Sequence, residues 1–562
     1  MSSFREFLRQ VIIWSQNLVK QFTGREKLVL GGLIIVVAVS SVLLSRNQIL
    51  NATYQPVSGG VYLEGLVGFP RFIHPLFSDT NDVDKVLSSL IYSGLTKISA
   101  GREVVPDLAT QWKMFDEGRT YVFHLRNDVL WHDGVKFDAD DVLFTVNILQ
   151  TLEYDGILKA SFADIAVEKI DEYTVKFTLP TPSAFFLYNL SVGIVPRHIY
   201  HDIPVVEMRS KYVQTDIIGT GPYSYKKSSD GKSVTLHRFD GYYGKQPMID
   251  TLVFFFFENE KNLFNAFKNR EVSAAGFREL VFENSELTPN DAEYIYSLPQ
   301  YKAIYFNQAS GNPVIQNRAV RQALAYATNK QQIIDEVENG RAEVVDSPIL
   351  PGFWGHKPDI KKYNFDIATA AKILKDDNWK DIDQDGFLEK DGVRLGFKIA
   401  VRDDESSLQI AEILRNNWAS IGAEVTIEAL SAATLIKEVI RPRAYEVLIF
   451  GQDLGIDSDP YVYWHSSQAH DPGLALAVIF DKDIDNNLES ARIATSLNKT
   501  IVYYHRFQDA FADLVPAILL YQPRYTYLVD SKVRGVTDKI NLSSVSDRFI
   551  NINEWYIKTK KE

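Results

Sequence analysis

The chain has no cysteine in its 562 residues. That one absence excludes disulfides, thiolate metal sites, iron–sulfur clusters, cysteine nucleophiles and thioether lipid anchors. Basic residues are outnumbered by acidic ones, 60 to 72, for a formal charge of −12, and a nucleic-acid partner is therefore not expected. There is no fixed-period repeat and no low-complexity segment. A G-x-S-x-G nucleophile elbow is missing, and none of the ten histidines sits in H-E-x-x-H. Gly231-Lys232-Ser233 imitates the end of a phosphate-binding loop, but the glycine required five positions earlier is Lys226. The chain is not read as an ATPase or as any other enzyme. What remains is globular in composition, 46% hydrophobic and 23% charged, with 33 Phe, 28 Tyr and 8 Trp. Its length suits roughly three or four domains.

Charge is unevenly placed. Residues 1–50 hold Arg5, Arg9, Lys20, Arg25, Lys27 and Arg46 against Glu6 and Glu26, so the acidic excess belongs to the rest of the chain. Between Lys27 and Arg46 lies an uncharged span, 28–45, rich in Leu, Ile and Val. It is just long enough to cross a bilayer as a helix, and the flanking charge puts residues 1–27 in the cytoplasm and the body outside. A signal peptide cut after Ala38-Val39-Ser40 is the rival reading, opposed by the long basic stretch before the span. A buried core helix is the third. Phe4, Phe7, Leu8, Val11, Trp14, Leu18 and Phe22 recur at helical spacing, which suits an interfacial helix or one docked on a partner. Residues 46–56 read as a tether.

Downstream, short β-like runs alternate with amphipathic helices, the pattern of mixed α/β lobes. Residues 120–125 and 173–179 alternate as strands. Residues 138–149 start with an acidic N-cap run and continue as a helix, and 318–327 and 408–419 are helical by period. WHDG at 131–134 reads as a strand end with an Asp-Gly turn, and GTGP at 219–222 as a crossover with permissive glycines. The pairs His198/His201 and His465/His470 read as exposed histidines, not as metal ligands. Asp381, Asp383 and Asp385, followed by Gly386, match the start of a calcium loop, but position twelve is Gly392 where a bidentate Glu belongs. A plain acidic turn and a weak calcium site both stay open; no other cofactor is expected.

PDLATQW at 106–112, WHDG at 131–134, FDADDVLFT at 137–145, GTGPY at 219–223, VRQALAYA at 320–327, and DSDPY at 457–461 followed by WHSSQ at 464–468 occur in this order. Together they resemble the extracellular solute-binding proteins of family 5, the oligopeptide- and dipeptide-binding components of ABC importers. The resemblance implies a periplasmic-binding-protein-like, Venus-flytrap α/β fold. Lobe I would comprise 57–97, 215–301 and 523–562, inserted domain II 98–214, and lobe III 302–522. Strands near 303–307 and 518–521 would form the hinge.

Relatives bind peptide as an added extended strand, and the matching edge here is Val447–Asp453, with Phe450, Gly451, Gln452 and Asp453 as contacts and Tyr461 and Trp464 nearby. Several relatives place an aspartate four residues after the glycine to pair with the ligand's amino group; here that position is Gly455, so Asp453 or Asp457 would substitute, Asp457 being preferred. Asp459 is assigned to the loop itself. The resemblance implies a monomeric receptor, anchored by its N-terminal helix in the cell membrane and delivering peptide to permease and ATPase subunits. A membrane-tethered sensor, or a binder of nickel, haem or oligosaccharide, are the other classes.

Overall fold

The computed structural model describes residues 23–26, 28–29, 32–33, 35, 40 and 54–561, except 79–80, 157, 184, 209–216, 227–231, 279–281, 283, 456–458, 495 and 541. The amphipathic segment 1–22, most of the apolar span 28–45, most of the tether, the 214/215 domain boundary and Asp457 lie outside the described residues. Among the described residues no helix is long and apolar enough to cross a membrane.

Two units separate, one made of 1–57 and 558–562, the other of 58–557. In the first, Tyr54–Val57 pairs antiparallel with Lys558–Lys561. The second is built on a twelve-stranded mixed sheet whose path runs Glu424–Leu430, Gly396–Arg402, Val447–Asp453, Gln300–Phe306, Ala517–Asp530, Ala274–Phe277, Val61–Val67, Thr251–Phe257, Ser233–Arg238 and Tyr223–Lys226. The fourteen-residue strand Ala517–Asp530 joins its two halves. Its start pairs with Gln300–Phe306 and its end with Ala274–Phe277 and Asp291–Ser297. A register shift at Lys302/Ala303 interrupts the first pairing. Such a bulge adds local twist and bends the strand, and it falls beside Pro523, where the strand passes from one core to the next.

Those cores are distinct. A large one holds Ile304, Leu324, Trp418 and Ile449 on one face of the sheet and Tyr305, Trp464, Phe507 and Leu519 on the other. A second holds Tyr62, Leu87, Phe254, Tyr527 and Trp555, with the Phe264–Phe267 cluster beside it. The third, an inserted core, fills the space under a separate four-stranded antiparallel sheet ordered Ala109–Phe115, Thr120–Leu125, Thr174–Thr178, Ala166–Asp171. Thr120–Leu125 buries every second residue, as period two requires. Helix Ala139–Gln150 packs on this sheet. Asp138 caps it in a capping box with Asp141, and Asp140 and Asp141 face its positive end.

Two local readings change. WHDG does not end a strand: Leu130 and Lys136 form only an isolated bridge around the turn. In the GTG segment neither first nor third glycine is needed for a left-handed φ. A Cβ on Gly221 would sit 2.6 Å from the carbonyl carbon of Ile91, and one on Gly219 would strike the Ile91 carbonyl oxygen. Close backbone approach sets these glycines, not backbone freedom.

Candidate functional site

A cavity of about 690 Å³ opens where the three cores meet. Its first wall is helix Asp82–Ile91, started by Asn81, whose side chain accepts from Val83 N. Val83, Val86, Leu87 and Leu90 pack inward, leaving Asp82, Lys85 and Ser89 on the cavity side at helical spacing. Arg278 stands just past strand Ala274–Phe277 and donates from Nη2 to Asp82 at 2.7 Å. Burial pushes this guanidinium down, but Asp82 first, then Tyr525 and Asp453, outweigh it and hold it above its ordinary value. The second wall comes from the inserted core. There Asp107 accepts from Tyr243 Oη at 2.8 Å and faces Lys97 at 3.7 Å. Burial raises its carboxyl despite Lys97 and Tyr243. Asp547, in the segment Ser543–Asp547, accepts from the amides of Ser543 and Ser544 at 2.6 and 3.0 Å. Burial also raises its carboxyl, while Arg102 and Lys85 act against the rise.

The third wall is the end of strand Val447–Asp453. One edge pairs with Gln300–Phe306 along its whole length, whereas Gly396–Arg402 pairs only with Val447 and Leu448 on the other. From Ile449 to Asp453 the second edge has no strand partner among the described residues. Asp453 O accepts from Tyr463 Oη at 2.7 Å; a row of amides and carbonyls without a strand partner is a template for another extended chain. Asp453 is exposed and lines the cavity with Leu454 and Gly455; its Oδ1 accepts from Gly455 N at 2.9 Å.

The other expected contacts are distributed differently. Gly451 is exposed and Phe450 half-buried on the large core. Gln452 is buried: Oε1 accepts from Tyr305 Oη at 2.7 Å and Tyr301 Oη at 3.2 Å, and Nε2 donates to Leu474 O. Trp464 is 1% exposed, stacked on Tyr305 and edge-on to Phe511. Tyr461 lies between the His465 ring and the Arg492 guanidinium, at 4.1 and 3.7 Å. Asp459 accepts from Arg492, Tyr461 N and Tyr504 Oη, which ties the loop together. The strand end thus joins Asp453 to the cavity, while Gln452 and Trp464 serve the core behind it.

Residues 103–472 match the bacterial extracellular solute-binding proteins, family 5 Middle. The chain belongs to family 5. It is 25% identical over 510 residues to the oligopeptide-binding protein AppA of Bacillus subtilis, covering 89% of this chain and 93% of that one. The dipeptide-binding protein of Escherichia coli is 24% identical over 499 residues, 83% and 90% of the two chains. Among solved structures, Bacillus subtilis AppA in complex with a nonapeptide superposes with a TM-score of 0.69 over 90% of this chain and 100% of that one, at 25% identity. NikZ of Campylobacter jejuni in complex with Ni(L-His) gives 0.71 over 88% and 99%, at 28% identity. The fold is the α/β architecture of these binding proteins.

The motifs by which family 5 is recognised build scaffold, apart from Asp107, Pro222 and Asp459, which line the cavity. Trp131 Nε1 donates to Asp141 Oδ2 at 3.2 Å, and Arg197 N to Asp141 Oδ1 at 2.9 Å. His132 joins WHDG to GTG: Gly219 N donates to Nδ1 at 3.2 Å, so Nε2 carries the proton and donates to Gly221 O at 3.0 Å. Of the four histidines read as exposed, His465 is 5% exposed and bonded to Glu489 and Ser467. Stacking on Tyr461 buries it. Asp381, Asp383 and Asp385 do converge, with one carboxylate oxygen each within 4.8 Å of the others. Yet Asp381 accepts from Gln384 N and Gly386 N, Asp383 from Asp385 N, Asp385 from Phe387 N, and Arg394 pairs with Asp385. The cavity residues Asp82, Lys85, Lys97, Asp107, Arg278 and Asp547 were not foreseen. They come from five segments, Asp82 and Lys85 sharing one helix and Asp107 falling within PDLATQW, and no local pattern marks them as cavity residues.

Proposed function

We propose that the chain is the substrate-binding receptor of an ABC importer, taking extended peptides into the cavity between its lobes and passing them to a permease driven by ATPase subunits. The observation that carries this reading is the half-free strand Ile449–Asp453 ending in a cavity walled by three cores. Main-chain bonds to such an edge bind any sequence, and the surrounding volume admits varied side chains. Relatives named for oligopeptide and dipeptide binding add weight to it. Lobe I (57–97, 215–301, 523–562), domain II (98–214) and lobe III (302–522) would close about the paired strands Gln300–Phe306 and Ala517–Asp530. The ligand's ammonium meets Asp453, with Asp457 the alternative. The protein is a monomeric carrier, not an enzyme, and needs no metal. Residues 28–45 anchor it, with the N-terminus in the cytoplasm and the body on the extracellular or periplasmic side; the charge asymmetry around that span supports this.

The test is native mass spectrometry of the full chain purified without refolding. Peptide masses released on unfolding are the expected result. Release of a nickel chelate, haem or oligosaccharide instead would replace the peptide reading.

A further inference from the structure

The hairpin between strands Thr96–Ile98 and Val104–Pro106 carries Arg102 at its tip, in the left-handed region at φ 66°. A non-glycine residue there is strained. Its side chain is nonetheless buried, 8% exposed. Nη2 donates to Leu542 O at 2.8 Å and Ser543 Oγ at 3.1 Å, and the Arg102 carbonyl accepts from Tyr188 Oη at 3.1 Å. Ser543 and Tyr188 line the cavity, so Arg102 grips two of its walls from behind. The remaining face of the guanidinium lies on the Phe353 ring, 3.4 Å from its centroid, and Phe353 belongs to the large core. Nearby, Phe185 beside the inserted core stacks on Trp354 at 5.4 Å and 30°.

The placement is costly. Burial lowers the Arg102 guanidinium to about 10, with Asp547 and Tyr188 only partly compensating, and its Nε has no hydrogen-bond partner among the described residues. A surface hairpin gains nothing from this unless the reach across is itself useful. Arg102, Phe185, Phe353 and Trp354 do not line the cavity.

We propose that Arg102 on Phe353, with Phe185 on Trp354, is a latch that holds the large core against the other two from outside the ligand site and so sets how closed the empty receptor is. A contact present only in the closed form shifts the open–closed equilibrium by its own free energy, and the apparent Kd scales inversely with the closed fraction. The inference rests on the reading of the cavity as a ligand site that opens.

The missing cysteines make the test clean. Lys113→Cys and Lys437→Cys, both exposed, place one spin label on the inserted sheet and one on the large core of the full chain. Pulsed dipolar spectroscopy then reads the interlobe distance without ligand, and titration with tetra-alanine reads capture. Phe353→Leu keeps an apolar side chain but removes the π face; Arg102→Met removes the charge and keeps the stem. Each should move the ligand-free distribution to longer distances and raise the tetra-alanine Kd roughly tenfold to thirtyfold, the effect of losing a desolvated cation–π contact. A melting curve shows which variant folds. Unchanged distances in a folded variant overturn the latch, and longer distances with unchanged Kd overturn its role in capture. If the parent protein does not take up tetra-alanine, that peptide fails as a ligand, and the distances still decide the latch.

Discussion

Glu64 and Arg548 form an ion pair at 2.8 Å with both side chains at 0% exposure. Glu64 also accepts from Tyr527 Oη at 2.7 Å and from Tyr62 Oη, and Arg548 donates to Val545 O and lies 4.5 Å over Phe549. Burial alone would push the guanidinium down; Tyr525, Glu64 and Tyr527 together raise it well above its ordinary value. Removing one partner strands the other charge in the second core. Glu64→Ala should therefore cost about 3–5 kcal/mol, the range for breaking a buried pair. For a cooperative unit of about 200 residues the unfolding entropy is about 0.4 kcal/mol/K, so the melting step of this core falls by about 7–12 °C. Differential scanning calorimetry of the full chain reads it directly. Replacing both partners, as in Glu64→Leu with Arg548→Met, removes charge and desolvation cost together and should lose far less than Glu64→Ala alone. A double variant less stable than the single one would refute this reasoning, because the pair would then be a net stabiliser beyond its desolvation.

Asp453→Asn should weaken binding of free-amino peptides by about 2–3 kcal/mol and leave N-acetylated ones nearly unchanged, measured by calorimetric titration; equal loss for both, or loss only in Asp457→Asn, removes Asp453 as the ammonium partner. Stability should fall on acidification. Burial holds His74 at about 3 and His132 at about 4, below the unfolded value near 6.5. The contribution is complete above pH 6.5 and is lost as pH falls toward 4, at up to about 1.4 kcal/mol per unit per histidine. His132→Asn should flatten the pH–Tm curve, and an unchanged slope would discount His132. Millimolar calcium should shift Tm by less than about 1 °C, because Arg394 pairs with Asp385 and Gly392 stands where a bidentate Glu belongs; a saturable rise of several degrees would establish a site.

Elements were legible where one local rule sufficed. Alternation gave Thr120–Leu125 its strand, and the acidic run at 138 gave the next helix its cap. The helix read from 408 begins three residues earlier, at Glu405, because Asp404 caps it through Ser407 N. Tertiary partners were not legible. Gln452 is polar beside an exposed Gly451, and nothing local says that two tyrosine hydroxyls await it. Trp464 in a polar-looking motif became core because Tyr305 and Phe511 close around it. Asp453 alone of the described candidates on the strand carries a charge to the cavity. Its neighbours there include its strand partner Gln300 and, from other segments, Asp82 and Arg278.

The same geometry explains why family motifs name a fold without naming a ligand. Trp131 fixes Asp141, His132 fixes Gly219 and Gly221, and Gly221 lets its backbone sit against Leu90 and Ile91. Leu90 and Ile91 are the inner face of the helix whose outer face presents Asp82, Lys85 and Ser89 to the cavity. Trp131, His132, Gly219 and Gly221 therefore bear on the cavity by setting that helix's position, whereas Asp107, Pro222 and Asp459 of the family motifs line it directly. Lys85 has no carboxylate within ion-pair distance among the described residues, so its replacement disturbs no packing contact of the motif chain. Substitutions at 82, 85 and 89 should therefore change the cavity surface without disturbing WHDG and GTG. A recognisable family signature and an unrecognisable binding preference are then two faces of one helix.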